Sequence, residues 1–289
     1  MERFQHSVSR RDFIRTGSGT LAAITLAGKS GLLSGCAKTP KDRIPIGVQL
    51  YSVRRECEKD LEKTLAEVAK IGYEGVEFAD YYGRTAEQLR KLLDENGLKC
   101  CGTHTQLDTL LGDELQKTIE FNKVIGNPNL IVPWLPEEKR KTKQDWLDLA
   151  KLFNEIAEKA AQKGMRIGYH NHDFETKPLE GEEPWDILFG ATGRNVIMQV
   201  DTGNMMSGGG DPIKYLKKYP GRSITVHLKE YSKTNPKAIL GEGDMDWKQV
   251  LNICSTTGGT EWYIIEEEKD VYPPLECIAM CLKNLKAMA

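Results

Sequence analysis

The stretch most suggestive of chemistry is KGMRIGYHNHDFET, residues 163–176, in which an apolar run ends in two histidines separated by one residue. Side chains on a strand alternate between faces, so His170 and His172 are expected on one face and Tyr169 and Asn171 on the other. Two imidazoles on one face, followed by acidic residues, could be metal ligands, acid–base groups or polar residues at a strand end. Partners elsewhere in the chain must decide between these roles.

Such partners follow three later apolar runs. VIMQVDTGN contains Asp201, SITVHLKEY contains His227 and EWYIIEEE contains Glu266. A divalent ion bound through nitrogen and oxygen needs three or four groups that converge from different directions. One of the two histidines, together with these three residues, would supply that set.

From Ile44 onward, apolar strand-like runs alternate with helical patterns, giving eight strand–helix units without a composition break. A closed barrel of eight such units takes about 250 residues. An open doubly wound sheet is the alternative, but no glycine-rich dinucleotide fingerprint follows the first strand. The sequence therefore predicts an α/β protein with a single (β/α)8 TIM barrel over residues 44–289. Its functional residues are expected at the carboxyl ends of the strands.

The first 35 residues have a different character. SVSRRDFIRTGSGT resembles a twin-arginine export signal, and LLSGC resembles a lipobox with Cys36 as the lipidated residue. A disordered tail with a chance Arg-Arg pair is the alternative. The motifs predict a signal peptide over residues 1–35, a tether over residues 36–43, and a protein anchored by lipid to the periplasmic side of a bacterial membrane. The other six cysteines match no zinc or disulfide pattern, so they are expected in the core.

Composition excludes two classes of protein. The formal net charge is −2 and no basic stripe is present, which argues against a nucleic-acid partner. No window has the roughly 20 apolar residues of a spanning helix. A small-molecule substrate is the expected partner, and a homo-oligomer is an open alternative.

The chain resembles the xylose-isomerase-like barrel superfamily in the order of four motifs: the strand-five histidines, VDTGN, VHLKEY and YIIEEE. This group includes sugar phosphate isomerases/epimerases, inosose dehydratase-like lyases and, more distantly, type IV apurinic endonucleases. The opening IGVQLYSVR is similar too, so the resemblance covers essentially all of residues 44–289. In the family, strands five to eight each give one metal ligand, usually Glu, Asp, His and Glu. Asp201, His227 and Glu266 match the last three, and His170 stands where the family usually has glutamate.

The resemblance implies one divalent ion, manganese first, with zinc, cobalt or magnesium as alternatives. It also implies proton removal next to a carbonyl, with Glu268, Lys229 and His172 as candidate catalytic residues. Four residues at other strand ends are candidates for substrate binding: Gln49, Glu77, His104 and Trp134.

The first function expected is that of an isomerase/epimerase acting on a sugar or sugar derivative. An exported enzyme would meet unphosphorylated sugars. A lyase or dehydratase of keto sugars, 3-keto-glycosides or inosose-type substrates is the alternative, because His170 replaces one of the two glutamates that family epimerases use. A DNA-repair endonuclease would need a basic surface and more histidines. A non-catalytic sugar-binding lipoprotein would not need a complete metal site.

Overall fold

A computed structural model describes residues 43–288, which form a closed barrel of eight parallel strands in sequential order. The barrel closes where the first strand pairs with the last, in the register Ile46 to Tyr263. The strands are β1 (Ile46–Gln49), β2 (Gly75–Phe78), β3 (Lys99–His104), β4 (Asn129–Val132), β5 (Arg166–His170), β6 (Val196–Asp201), β7 (Thr225–Leu228) and β8 (Trp262–Ile265).

Ten α-helices lie between and after these strands within residues 43–288. They are α1 (Arg54–Lys59), α2 (Leu61–Ile71), α3 (Ala86–Glu95), α4 (Glu114–Ile125), α5 (Lys143–Ala161), α6 (Pro184–Ala191), α7 (Thr202–Ser207), α8 (Pro212–Lys218), α9 (Trp247–Ile253) and α10 (Pro274–Met288). None of these helices is long and apolar enough to cross a membrane.

The longest helix, α5, shows how the sequence determines where a helix begins and which face is buried. The Thr142 hydroxyl caps its start by accepting from the backbone N–H of Asp145, and the Asp145 carboxylate accepts from the Thr142 N–H. Apolar residues recur along one face, and Trp146 and Phe153 are fully buried there. Burial of each such side chain contributes about 1.5–3 kcal/mol. The main core therefore lies between the helices and the barrel.

The inside of the barrel is filled closely where β4, β5 and β6 meet. A Cβ on Gly168 would lie 2.7 Å from the backbone oxygen of Ile197 and 2.8 Å from Cδ1 of Ile131. Only glycine allows the three strands to approach this closely.

The predicted barrel and its eight strands are confirmed. Strand lengths differ from the prediction: β5 ends at His170, which leaves His172 in the following loop, and β8 ends at Ile265, before the three glutamates. Helix α7 was not predicted; it forms because the Asp201 carboxylate caps it by accepting from the N–H of Asn204.

Six cysteines beyond the lipobox are buried and free, as expected. The predicted signal peptide, Cys36 and the tether as far as Asp42 lie outside the described residues.

Candidate metal centre

The carboxyl ends of β5 to β8 bring four potential ligands together. Each of His170, Asp201, His227 and Glu266 offers an atom, and these atoms all lie within 4.8 Å of one another. All four residues are buried, with at most 5% of the surface of any one exposed. The structure therefore brings together the two imidazoles and two carboxylates predicted as ligands, and their binding of an ion stays a prediction.

Asp201 offers one oxygen to this cluster. Its Oδ1 accepts from the backbone N–H of Asn204 at 2.7 Å, while its Oδ2 is buried and has no hydrogen-bond partner within residues 43–288. Burial raises the pKa of Asp201 to about 7, although the nearby Lys229 ammonium opposes this. A buried carboxylate oxygen without a partner is costly, and a bound cation would satisfy it.

His170 is held in the tautomer that a metal ligand needs. Its Nδ1 lies 3.1 Å from Oε1 of Gln199. The Gln199 amide donates to Oε1 of Glu77 at 2.9 Å and to Oγ1 of Thr225 at 2.8 Å, so its Oε1 can only accept. Nδ1 of His170 therefore carries the proton, and Nε2 keeps its lone pair. Burial, with His227 and His104 nearby, holds the pKa of His170 well below its usual value, so the ring is neutral.

His227 lies between two carboxylates. Its Nε2 is 2.5 Å from Oε2 of Glu77, and its Nδ1 is 2.5 Å from Oε2 of Glu266 and 4.0 Å from Oδ2 of Asp201. Burial alone would lower its pKa, but the two carboxylates raise the pKa to about 10. Nδ1 faces the cluster, so it would lose its proton when a metal binds, while Nε2 keeps its proton and donates it to Glu77. This is the carboxylate–histidine arrangement that orients metal ligands.

Lys229 and Glu268 lie beside the cluster. The Lys229 ammonium is 3.5 Å from Oε1 of Glu266 and also pairs with Glu268. Burial opposes its charge, but Glu266, Asp201 and Glu268 together raise its pKa. Burial and the neighbouring Glu266 raise the pKa of Glu268, whose side chain is 34% exposed. The site therefore has a charged amine next to a carboxylate of increased basicity.

His172 lies in the loop after β5 and close to the cluster, with its ring centre 5.4 Å from that of His170. Its Nδ1 is buried and has no hydrogen-bond partner in the described part of the chain, and burial lowers the pKa of the ring to about 4. Its ring stacks on Phe174, whose ring also lies 3.5 Å from the Arg140 guanidinium. Glu175 accepts from the His172 backbone N–H at 2.8 Å. His172 is thus a neutral, firmly held group.

The four candidate substrate-binding residues differ in how far they are buried. Gln49 and Glu77 are fully buried, and Gln49 donates to Oε2 of Glu77 at 2.8 Å. His104 is partly buried beside His227, with ring centres 5.4 Å apart. Trp134 lies past the end of β4 with 45% of its surface exposed. Substrate contact by these residues stays a prediction, and Glu77 and Gln49 are placed to orient His227.

Three supporting residues were not found from the sequence: Gln199, Asn171 and Glu175. Gln199 lies two residues before Asp201 on β6, so strand alternation could have placed it inside the barrel. Asn171 accepts from the Asp201 N–H at 2.8 Å and donates to the Asp201 carbonyl at 3.1 Å, fixing β5 against β6. Glu175 gave no distinctive signal, because it stands in a polar loop.

Comparison with known proteins decides the family. The family described as xylose isomerase-like TIM barrel matches residues 65–285. The chain belongs to this family. Within it, an inosose dehydratase from Clostridium tetani is 24% identical over 274 residues, covering 80% of this chain and 91% of that protein.

Two solved structures share the fold. A sugar phosphate isomerase/epimerase from Parabacteroides distasonis superposes with a TM-score of 0.71 at 22% identity, covering 84% of this chain and 93% of that one. The IOLI protein, solved with a zinc atom, has a TM-score of 0.65 at 15% identity and covers 84% and 97%.

Proposed function

We propose that this protein is a divalent-metal-dependent lyase that removes a proton next to the carbonyl of an unphosphorylated keto sugar or cyclitol and then expels a β-substituent. The observation that carries the proposal is His170, which occupies the strand-five ligand position and is fixed as a neutral imidazole by Gln199. Inosose dehydratases are among the relatives that the chain matches over most of its length. Elimination needs only one group that takes the proton from carbon, so it does not require the second metal-site glutamate.

His170, Asp201, His227 and Glu266 would hold the ion. Manganese is the first candidate, since carboxylate and imidazole ligands suit it, and zinc, cobalt and magnesium are alternatives. When bound, such an ion polarises a carbonyl and makes the adjacent C–H more acidic. Glu77 and Gln199 keep the two imidazoles in the orientation that binding requires.

Glu268 is the candidate base. Its raised pKa makes it a better proton acceptor than an ordinary carboxylate, and its partial exposure leaves it open to substrate. Lys229 remains charged and would stabilise negative charge that develops on the carbonyl oxygen. Glu268 can then give the proton to the departing oxygen.

His172 is a candidate for contact with the substrate. Because its pKa is lowered, it is neutral near pH 7, and its Nδ1 makes no hydrogen bond to the residues that the structure describes. A hydroxyl of the substrate or the departing group would satisfy that nitrogen.

An isomerase/epimerase is the second candidate. The loops that carry His172 and Glu268 follow β5 and β8, which are separated by two strands around the barrel, so the two groups approach the cluster from different sides. Epimerisation requires proton removal on one face of the substrate and return on the other.

The choice of an unphosphorylated substrate rests on two proposals: export directed by the signal that contains Arg10 and Arg11, and lipidation at Cys36. Phosphorylated sugars belong to the cytoplasm, and an anchored protein on the periplasmic side would meet sugars, cyclitols or glycosides.

The test is incubation in deuterium oxide with 3-keto-glucosides and inososes, followed by mass spectrometry and NMR. The lyase predicts an unsaturated product and a free leaving group, both abolished in Glu268→Gln. Deuterium incorporation with inversion and no elimination would favour the epimerase. A complete lack of exchange into every keto sugar would reject both.

A further inference from the structure

A cavity lies between the segments that follow β3 and β4, and the chemistry described above does not use it. It has a volume of about 590 Å³, a size typical of ligand sites. One wall is the segment after β3, which includes Gln106 and Leu111; the other is the segment after β4, which includes Trp134 and Glu138. Helix α5 forms its base, through Leu149 and Leu152.

One residue that lines the cavity is close in sequence to a residue that contacts the metal cluster. Gln106 follows His104 by two residues, so their Cα atoms are at most about 7 Å apart. His104 in turn stacks on the candidate ligand His227. Because the loops after all strands of a barrel emerge at the same end, the cavity and the metal centre open on the same face of the molecule.

The chemistry of the walls indicates the class of ligand. Half of the lining residues are apolar, and Trp134 and Leu111 are exposed there. The other half are polar, with four carboxylates and one lysine. The Asp145 carboxylate already accepts hydrogen bonds from the backbone N–H groups of Lys141 and Thr142 at the start of α5. Gln106, Glu138 and Lys139 make no side-chain hydrogen bond within residues 43–288.

This combination suits a neutral polyol better than the alternatives. An excess of carboxylates repels a phosphate or another anion, and the polar half disfavours a lipid tail. A sugar ring presents C–H groups to an aromatic face and hydroxyls that both donate and accept. Trp134 offers the face, Glu138 accepts, and Gln106 and Lys139 donate.

We infer that this cavity binds the second ring of a glycoside, so that the substrate is at least a disaccharide-sized keto-glycoside. The inference rests on the proposed lyase function and extends it to the leaving group. The proton next to the carbonyl is taken, the C–O bond to the second ring breaks with its electron pair on that oxygen, and the oxygen is protonated. The products are an unsaturated keto sugar and a free sugar, so no oxidant or reductant is needed.

Binding can be measured without turnover. Trp134 is the only one of the five tryptophans with a strongly exposed side chain, so its fluorescence reports on the cavity. We expect cellobiose to change the emission saturably, glucose to do so at least tenfold more weakly, and Trp134→Phe to remove the response. Leu111→Arg should weaken cellobiose binding at least tenfold. The matched control is Val124→Arg, an exposed apolar residue on α4 that does not line the cavity.

Turnover supplies the second readout, as the ratio of kcat/KM for 3-keto-cellobiose to that for methyl 3-keto-glucoside. Leu111→Arg should lower this ratio at least tenfold, and Val124→Arg should not. An unchanged ratio, or a cellobiose response that survives in Trp134→Phe, would overturn the inference. So would a loss of self-association in Leu111→Arg without a loss of sugar binding, since the cavity would then be a contact between copies. If cellobiose binds as expected but neither keto-glycoside reacts, the cavity assignment stands and the lyase proposal fails.

Discussion

Single side chains around the cluster determine whether it can hold an ion. The side chain of Gln199 accepts from His170 and thereby fixes the proton on that ring. Gln199→Leu removes the acceptor, and outer partners of this kind typically contribute 10–100-fold in metal affinity. We expect a loss of that size for manganese, measured by isothermal titration. Gln144→Leu, which removes an exposed amide on α5 that bonds Asp148, is the control. Equal affinities in both variants would contradict the role given to Gln199.

The buried carboxyl group of Glu175 is expected to make the free energy of unfolding depend on pH. Burial raises its pKa to about 7, even though Tyr169 and the His172 N–H donate to it. A raised carboxyl pKa in the folded state stabilises the fold below the ordinary value near 4.5, and this contribution is lost as pH rises through 7. Glu175→Gln mimics the protonated form, so the variant should gain relative stability above pH 7, by at most about 3 kcal/mol.

Urea denaturation at pH 4.5 and pH 8.5 measures this effect. The stability difference between Glu175→Gln and the natural protein should be near zero at the lower pH and should favour the variant at the higher one. Glu158→Gln, at an exposed position on α5, should show no such change. A difference that is the same at both pH values would contradict the prediction.

Among the elements, the contact between β4, β5 and β6 leaves little room for added volume. Gly168→Ala would place a methyl group against backbone and side-chain atoms that cannot move without moving a strand. Overpacking of this kind costs about 1–3 kcal/mol. Gly190→Ala is the matched control on α6, where the new Cβ would lie 3.6 Å from the Tyr219 hydroxyl, an ordinary contact. Chemical denaturation should show the loss in the first variant only; similar stabilities would contradict close packing at Gly168.

The alternation of strands and helices was enough to predict the barrel, because each apolar run is short and each helix has its own start and stop residues. Asp201, His227 and Glu266 could be predicted as partners, because the barrel brings consecutive strand ends together. Strand alternation could place Gln199 inside the barrel, but its role could not be predicted, since its amide is oriented by Glu77, which is 122 positions away in the chain. The positions of Gln49 and Glu77 relative to the cluster also depend on the stagger of the strands along the barrel axis. Spacing in the sequence does not reveal that stagger.

At the level of the whole molecule, the export and lipidation motifs predict where the protein works. Cys36→Ala should release the protein from the membrane fraction and abolish incorporation of a labelled fatty acid, while the barrel at residues 43–288 remains folded. Fractionation with immunoblotting measures the first effect and metabolic labelling the second. Membrane association that persists without label would contradict lipidation at Cys36.

Metal analysis of the purified, folded protein is the most direct test of the site. We predict about one divalent ion per chain in the natural protein after dialysis, and loss of that ion in Asp201→Ala and in the isosteric Asp201→Asn. Circular dichroism on both variants separates ion loss from unfolding. A natural protein that binds no manganese, zinc, cobalt or magnesium would contradict the metal centre. Equal metal content in the natural protein and a folded Asp201→Asn variant would contradict it too.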